Sequence, residues 1–498
     1  MTKRAHPLVP TLAFGLASTL SACDRTLPPL GEALVVVDTD LPVPSVVSRL
    51  RVDVYEDGIW KESRDLARPD PRDWPASFSV VAEDDGRVHE VVLRVRAYQE
   101  GATRTYRGER FAEGADAFRR EAPSPVPGEA PRLLREGADV TPKDEPLPNL
   151  AVDRTTVLRL EKSVRFRTKL LLSGDCAGTM SSGTLPTAAT TCVQGARVST
   201  ASAPGEIDEV LETPNTSAVG TWGASPCASN ASTRERVCVP GGAFVLGSRD
   251  ADLVPAERPS PERVVRVSRF SVDRHEVTVA RFRAARARGI ALEAGVTEGP
   301  LTSDAVKACP YSASPRDREG YAMACVSFEA ARDFCRAEGG RLPTESEWEW
   351  MAAAASGTKN LYPTGNEEPS CDDVVFGRIP LGGAPGVCGA LSKLPVAVFG
   401  EDGQGLQDRD VTSLGIVGLT GGVAEWTSDD YATFDADAWF DAGRTDPLIT
   451  VTKKSAPKVV RGASWAAPVL YLKAAVRQSV APSTSFGGLG LRCVYPAP

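Results

Sequence analysis

Gly339-Gly340-Arg341-Leu342-Pro343-Thr344-Glu345-Ser346-Glu347-Trp348-Glu349-Trp350 decides the reading of this chain. The glycine pair permits a sharp turn, because glycine reaches positive φ at little cost. Pro343 stops whatever helix precedes it. Thr344 can then cap a new helix, with Glu347 three residues on completing a capping box. Trp348, Met351, Ala352 and Ala355 follow at helical spacing and mark a buried face. Upstream, Ser327 starts another helix whose apolar side carries Ala331, Phe334 and Cys335. On pattern alone, this is a pair of helices around a glycine turn.

The wording of the stretch is more specific. It resembles a signature of the formylglycine-generating enzymes, the sulfatase-modifying factors, close to G-x-RLPTE-x-EWE-x-A. Other motifs of that family follow in its order. Val239 to Ser248 resembles the opening strand and turn, and Glu276-Val277-Thr278 the EVT motif. Val326-Ser327-Phe328 with Phe334-Cys335 resembles V-S-W…Y-C, and Tyr362-Pro363-Thr364-Gly365 resembles Y-P-W-G. Gly415 to Trp426 resembles the segment ending G-N-V-x-E-W. Arg461 to Trp465 and Gly490 to Cys493 resemble the closing R-G-G-S-W and G-F-R-C. The resemblance covers roughly residues 237 to 497. It implies a loop-rich, complex variant of the C-type lectin fold.

A chain of 498 residues calls for two or more domains. Hydrophobic content of 42% is globular. A net charge of -8 without a long basic run argues against nucleic acid and electrostatic membrane docking. Lys3 and Arg4, then an apolar run from Leu8 to Leu20, read as an export signal too short for a standard membrane span. Leu20-Ser21-Ala22-Cys23 resembles a bacterial lipobox, which implies lipidation of Cys23 and an envelope lipoprotein held to a membrane. Ten of the 11 cysteines then remain, an even number in an exported chain. Local pairs Cys176 with Cys192, Cys227 with Cys238, Cys309 with Cys325 and Cys371 with Cys388 would leave Cys335 and Cys493 as a long-range clasp. Spacing does not fix this connectivity. A zinc site is disfavoured by the lack of C-x-x-C and by only three histidines.

Five segments are expected: a lipoprotein signal peptide at 1–22, a tether at 23–32, a β-rich domain at 33–172, a linker or disulfide-clipped insertion at 173–236, and the sulfatase-modifying-factor-like domain at 237–497. The fold class is α+β. In the β-rich domain, Leu34 to Val37, Leu50 to Tyr55, Val91 to Tyr98, Val157 to Leu160 and Val164 to Phe166 read as strands, with turns at Asp57-Gly58 and Asp85-Gly86. A sandwich is the expected arrangement. Phe111 to Asn149 reads as an irregular loop.

The chemistry rests on the resemblance. Family enzymes oxidise a client cysteine with molecular oxygen and bind copper through two cysteines just after R-G-G-S-W; soft thiolates suit Cu(I). Here the matching stretch, Ala466 to Arg477, contains no cysteine, so copper is not expected. Relatives that use histidine-held iron are excluded by count, since only His6, His89 and His275 occur. Ser464, Trp465, Tyr471 and Arg477 are expected to line the family's pocket. Calcium is a candidate cofactor through Glu425, with Asp373 the nearest match to a further ligand, although Gly422 replaces the family's asparagine. The reading that follows is a module binding a small molecule or partner protein. The alternative is an oxidase or other enzyme of the formylglycine-generating and non-haem iron superfamily with different active-site residues.

Overall fold

The computed structural model describes residues 30–83, 85–103, 120–122, 132–135, 138–139, 145–202, 206–208, 217–248, 259–289, 296, 309–315, 318–378, 387–388, 409–453 and 455–498. The expected signal at 1–22, Cys23 with its lipid, the tether up to residue 29 and much of 111–149 lie outside these residues; within 111–149 the described strands Arg120–Ala122, Arg132–Arg135 and Ala138–Asp139 pair in a sheet, so that stretch is not wholly an irregular loop.

The N-terminal half is built from alternation. Strands β1 (Glu32–Thr39), β2 (Arg49–Glu56), β3 (Ile59–Ala67), β4 (Ala76–Val81) and β5 (His89–Tyr98) are followed by Ala151–Leu160 and Arg165–Leu172. One sheet runs β3, β2, β5, Ala151–Leu160, antiparallel throughout. The other runs Glu206–Asp208, Arg165–Leu172, β1, β4, with β1 parallel to Arg165–Leu172. Side chains alternate across a strand. Ala33, Val35 and Val37 of β1 and Val91, Leu93, Val95 and Ala97 of β5 therefore enter one shared core. The opposite face of β2 and β5 carries Arg51, Asp53, Arg94 and Arg96, with Asp153 of the neighbouring strand.

Several strands escaped the sequence reading, β3 and β4 among them. β3 is rich in charge and exposed positions, so hydrophobic periodicity gave little signal there; β4 alternates apolar residues with serine but is short; both are edge strands. The Asp57-Gly58 turn is present between β2 and β3, with both residues at positive φ.

Residues 173–236 do more than connect. Cys176, Ala177, Met180, Cys192 and Trp222 are buried in the N-terminal core. Cys176 is bonded to Cys192, and Trp222 donates its indole N–H to Asp175 at 2.9 Å. A loose linker would leave such side chains in water, whereas these are packed.

The C-terminal half has few helices and many short strands. Helices α1 (Val279–Ala287), α2 (Phe328–Ala337) and α3 (Glu345–Glu349) are capped by Thr278, Ser327 and Thr344. α3 runs directly into a wider π-helical turn at Trp350–Ala354. The hairpin Gly242–Leu246 with Arg263–Val267 joins the halves. One face of it sends Ala243, Val245 and Val264 into the N-terminal core, and the other sends Phe244, Leu246, Val265 and Val267 into the C-terminal core. Four further disulfides, Cys227–Cys238, Cys309–Cys325, Cys335–Cys493 and Cys371–Cys388, pin the loops.

Candidate functional site

The organising stretch forms its capping box. The Thr344 hydroxyl accepts from the Glu347 N–H at 3.2 Å, and the Glu347 carboxylate accepts from the Thr344 N–H at 2.8 Å. Arg341 grips the same carboxylate at 2.6 Å. Trp348, Met351 and Ala352 are buried, in keeping with their spacing.

Buried charge on this helix was not read from the sequence. Glu345 and Glu349 lie one turn apart, and both are completely buried. Strands Lys458–Arg461 and Arg477–Val480 pair so that Arg461 and Arg477 stand opposite each other. Arg477 holds Glu345 through Nε at 2.8 Å and Nη2 at 2.7 Å. Arg461 reaches Glu345 at 3.3 Å and also bonds Glu349. Lys359 neutralises the second oxygen of Glu349 at 2.7 Å. The signal was two acids at i and i+4 on a helix that leads into the apolar turn Trp350–Ala354; acids buried there need cations. Lys359 is near in sequence, but the two arginines could not be known, because each lies more than a hundred residues from the acid it holds.

A second buried cluster lies beside the first. Trp348 donates to Glu425 at 2.8 Å, and Arg492 donates to the other Glu425 oxygen at 2.9 Å. Glu276 is buried with no hydrogen bond to either carboxylate oxygen; Arg492 stands 3.9 Å away. Burial outweighs Arg492 and pushes the Glu276 carboxyl up to about 8. Burial likewise pushes Asp429, which accepts from the N–H groups of Glu345 and Ile449, up to about 7.

These partners bear on the expected site residues. Arg477 is fully buried and spent on Glu345 and the Ala432 carbonyl, so it belongs to the core and not to a pocket wall. Trp465 is also buried, its indole donating to the Gly487 carbonyl at 3.0 Å. Ser464 keeps a trace of exposure and Tyr471 is half-buried, so these two lie nearest the surface. Glu425 does not fit a calcium site. Its two oxygens already accept from Trp348 and from a guanidinium, and calcium needs six to eight oxygen ligands. Asp373 is held elsewhere, by the Ser370 hydroxyl at 2.5 Å and by Arg409 at 3.6 Å. Among the described residues, no three His, Cys, Asp or Glu side chains gather to hold a metal.

The stretch after Trp465 forms an apolar wall. Ala463 and Leu472 pack with Tyr362, Val374, Phe376 and Cys388, and Ala467, Val469, Tyr471 and Cys371 lie against them. The Ala467 carbonyl accepts from the Gly377 N–H at 2.9 Å, and the Trp465 carbonyl from the Arg378 N–H at 3.0 Å. Every cysteine among the described residues is in a disulfide. The wall therefore offers methyl groups, aromatic rings and hydroxyls, with no thiolate among the described residues.

The family model for the sulfatase-modifying factor enzyme 1-like domain matches residues 223–497, more than half of the chain. The chain belongs to this family. A formylglycine-generating enzyme of Thermomonospora curvata is 29% identical over 293 residues, covering 52% of this chain and 92% of that protein. An inactive C-alpha-formylglycine-generating enzyme 2 of Bos taurus is 28% identical over 310 residues, covering 54% of this chain and 90% of that protein. The solved structure of PvdO from Pseudomonas aeruginosa covers 55% of this chain and 98% of its own, at 18% identity and a TM-score of 0.37. Similarity to a relative named as an enzyme and to one named inactive is thus comparable in extent, and the residues of the sulfatase-modifying-factor domain must decide its chemistry.

Proposed function

We propose that this protein is an exported lipoprotein, anchored in the bacterial cell envelope through Cys23, whose sulfatase-modifying-factor domain binds a small molecule or a partner protein and does not oxidise cysteine. One observation carries the reading. The stretch from Ala466 to Arg477, where the family's copper ligands are expected, includes no cysteine, and the described cysteines are consumed by disulfides. Cu(I) binding needs soft donors converging on one point. In the same reading, the C-terminal domain is a variant of the C-type lectin fold and the two N-terminal sheets are the layers of a sandwich.

The test uses the purified mature protein, copper and a cysteine-containing sulfatase peptide. No formylglycine is expected, and thiol titration of the denatured, unreduced protein should find no free thiol. Peptide oxidation together with two free thiols, abolished by Cys493→Ala, would establish the enzyme instead. Cys23→Ser should release the protein from membranes or block its processing.

A further inference from the structure

One end of the N-terminal half gathers several chain segments. The start of β1 pairs with the end of β4, Glu32 opposite Val81, and with the start of the next strand, Glu32 opposite Arg165. The turn at 161–164 connects the two sheets there, β4 ends and β5 begins there, and His89 pairs with Leu160. A side chain on Gly31 would strike the Glu161 carbonyl at 2.5 Å, so the entering chain lies directly on that turn. The β2–β3 turn is at this end too, with Leu185 against Gly58.

Nine large apolar side chains are exposed among the described residues, and five of them cluster here: Leu30 at 42%, Val81 at 49%, Val88 at 48%, Val164 at 42% and Leu185 at 46%. Between edge strands β3 and β4 the same end opens into a cleft of about 400 Å³ with Val54, Leu66, Phe78, Val80 and Leu160 in its walls. An exposed apolar patch of this kind marks an interaction surface. Several charges around it are paired with each other, Arg87 with Asp85, Lys61 with Glu56 and Arg165 with Glu32, which limits what they offer a charged partner.

The chain identifies the occupant. Leu30 leads directly back to Cys23 and the apolar run Leu8 to Leu20. The step from Cys23 to Leu30 is seven residues. At about 3.3–3.6 Å per extended residue, such a step reaches at most about 25 Å. An anchor at Cys23 therefore keeps this end within that distance of the lipid. The C-terminal half attaches at the other end: Pro148–Leu150, which opens the strand Ala151–Leu160, packs on the Arg263–Val267 strand.

We propose that this apolar end rests on the bilayer surface and that the N-terminal half is a spacer holding the sulfatase-modifying-factor domain on the far side from the lipid. The strand Ala151–Leu160 runs the length of this half. A strand of that length spans about 33 Å, which sets the height of the separation. The contact is apolar and is expected to be insensitive to salt. It rests on the anchored reading, and the test separates the two.

Lipidated full-length protein is reconstituted into phosphatidylethanolamine–phosphatidylglycerol vesicles with brominated acyl chains. Val88→Trp and Val164→Trp place reporters in the patch, and Leu448→Trp places one on the C-terminal half. The expected result is loss of the added emission in the first two and none in the third, unchanged at high salt. Failure of the parent protein to float with vesicles would remove the anchored reading and this contact with it. Flotation with equal quenching of all three reporters, with none of them quenched, or with quenching that salt abolishes, would overturn the bilayer contact alone.

Discussion

The two halves bury charge for different purposes. In the N-terminal half, Arg96 bonds Asp53 and Glu145 on the face of the sheet turned away from the apolar core. Burial raises the Asp53 carboxyl, but Arg96 and Arg51 outweigh it and hold it below its usual range. The strands there satisfy their own backbone groups. In the C-terminal half much of the chain is loop, and its carbonyls need other donors. Arginines supply them: Arg461 donates to the carbonyls of Ala474 and Ala475, Arg477 to that of Ala432, and Arg492 to those of Asp273 and Val417. A guanidinium has five donors in a fixed fork, so one side chain can close a carboxylate and two loops together. Where a sheet is absent, buried arginine stands in for the ladder.

The largest expected effect breaks that substitute. Arg461→Met leaves Glu345 and Glu349 short of a partner and strips two carbonyls. The cost should be about 3–5 kcal/mol. Arg64→Ala, exposed in the other half, should cost about 0–1 kcal/mol. Chemical denaturation compares the two, and equal midpoints would refute the role given to Arg461. Next comes the clasp. Cys335→Ser with Cys493→Ser opens a loop with a sequence separation of 158. The loss should be about 2–5 kcal/mol, read as an earlier transition of the C-terminal half alone.

The pH prediction has a definite sign. Glu276 in the folded chain titrates at about 8, against about 4.3 when unfolded. Between those values the folded state keeps a proton that the unfolded state has released. Stability from this group is therefore complete below about pH 4 and is lost as pH rises to about 8. Glu276→Gln should flatten the fall by up to about 1.4 kcal/mol per pH unit and make the variant the more stable form at about pH 8. Parallel melting curves of parent and variant across roughly pH 5 to 8 would contradict it. The smallest effect is local. Thr344→Ala removes the cap of α3 and should cost about 1 kcal/mol by the same denaturation measurement.

How much was legible follows distance along the chain. The capping box lies within a single helical turn, so Thr344 and Glu347 could be recognised before any tertiary contact was known. Strands β2 and β5 announced themselves by alternation and β1 by an apolar run, whereas β3, charged along much of its surface, did not. Arg477 and Trp465 were expected at a pocket because motifs carry identity without depth; their burial depends on what packs over them.

The sequence by itself determined the family, the helix entry at Thr344, the period of the main strands and the absence of cysteine between Ala466 and Arg477. Each is written within a short window, where local geometry and residue chemistry act without help. Only the tertiary structure decided that Glu345 answers to Arg477 at a separation of 132 residues, and that residues 173–236 complete a core. It also decided that the hairpin Gly242–Leu246 with Arg263–Val267 serves both halves at once. Desolvation makes those choices: a buried carboxylate or an apolar face must find its partner wherever the chain brings one, and periodicity carries no record of where that will be.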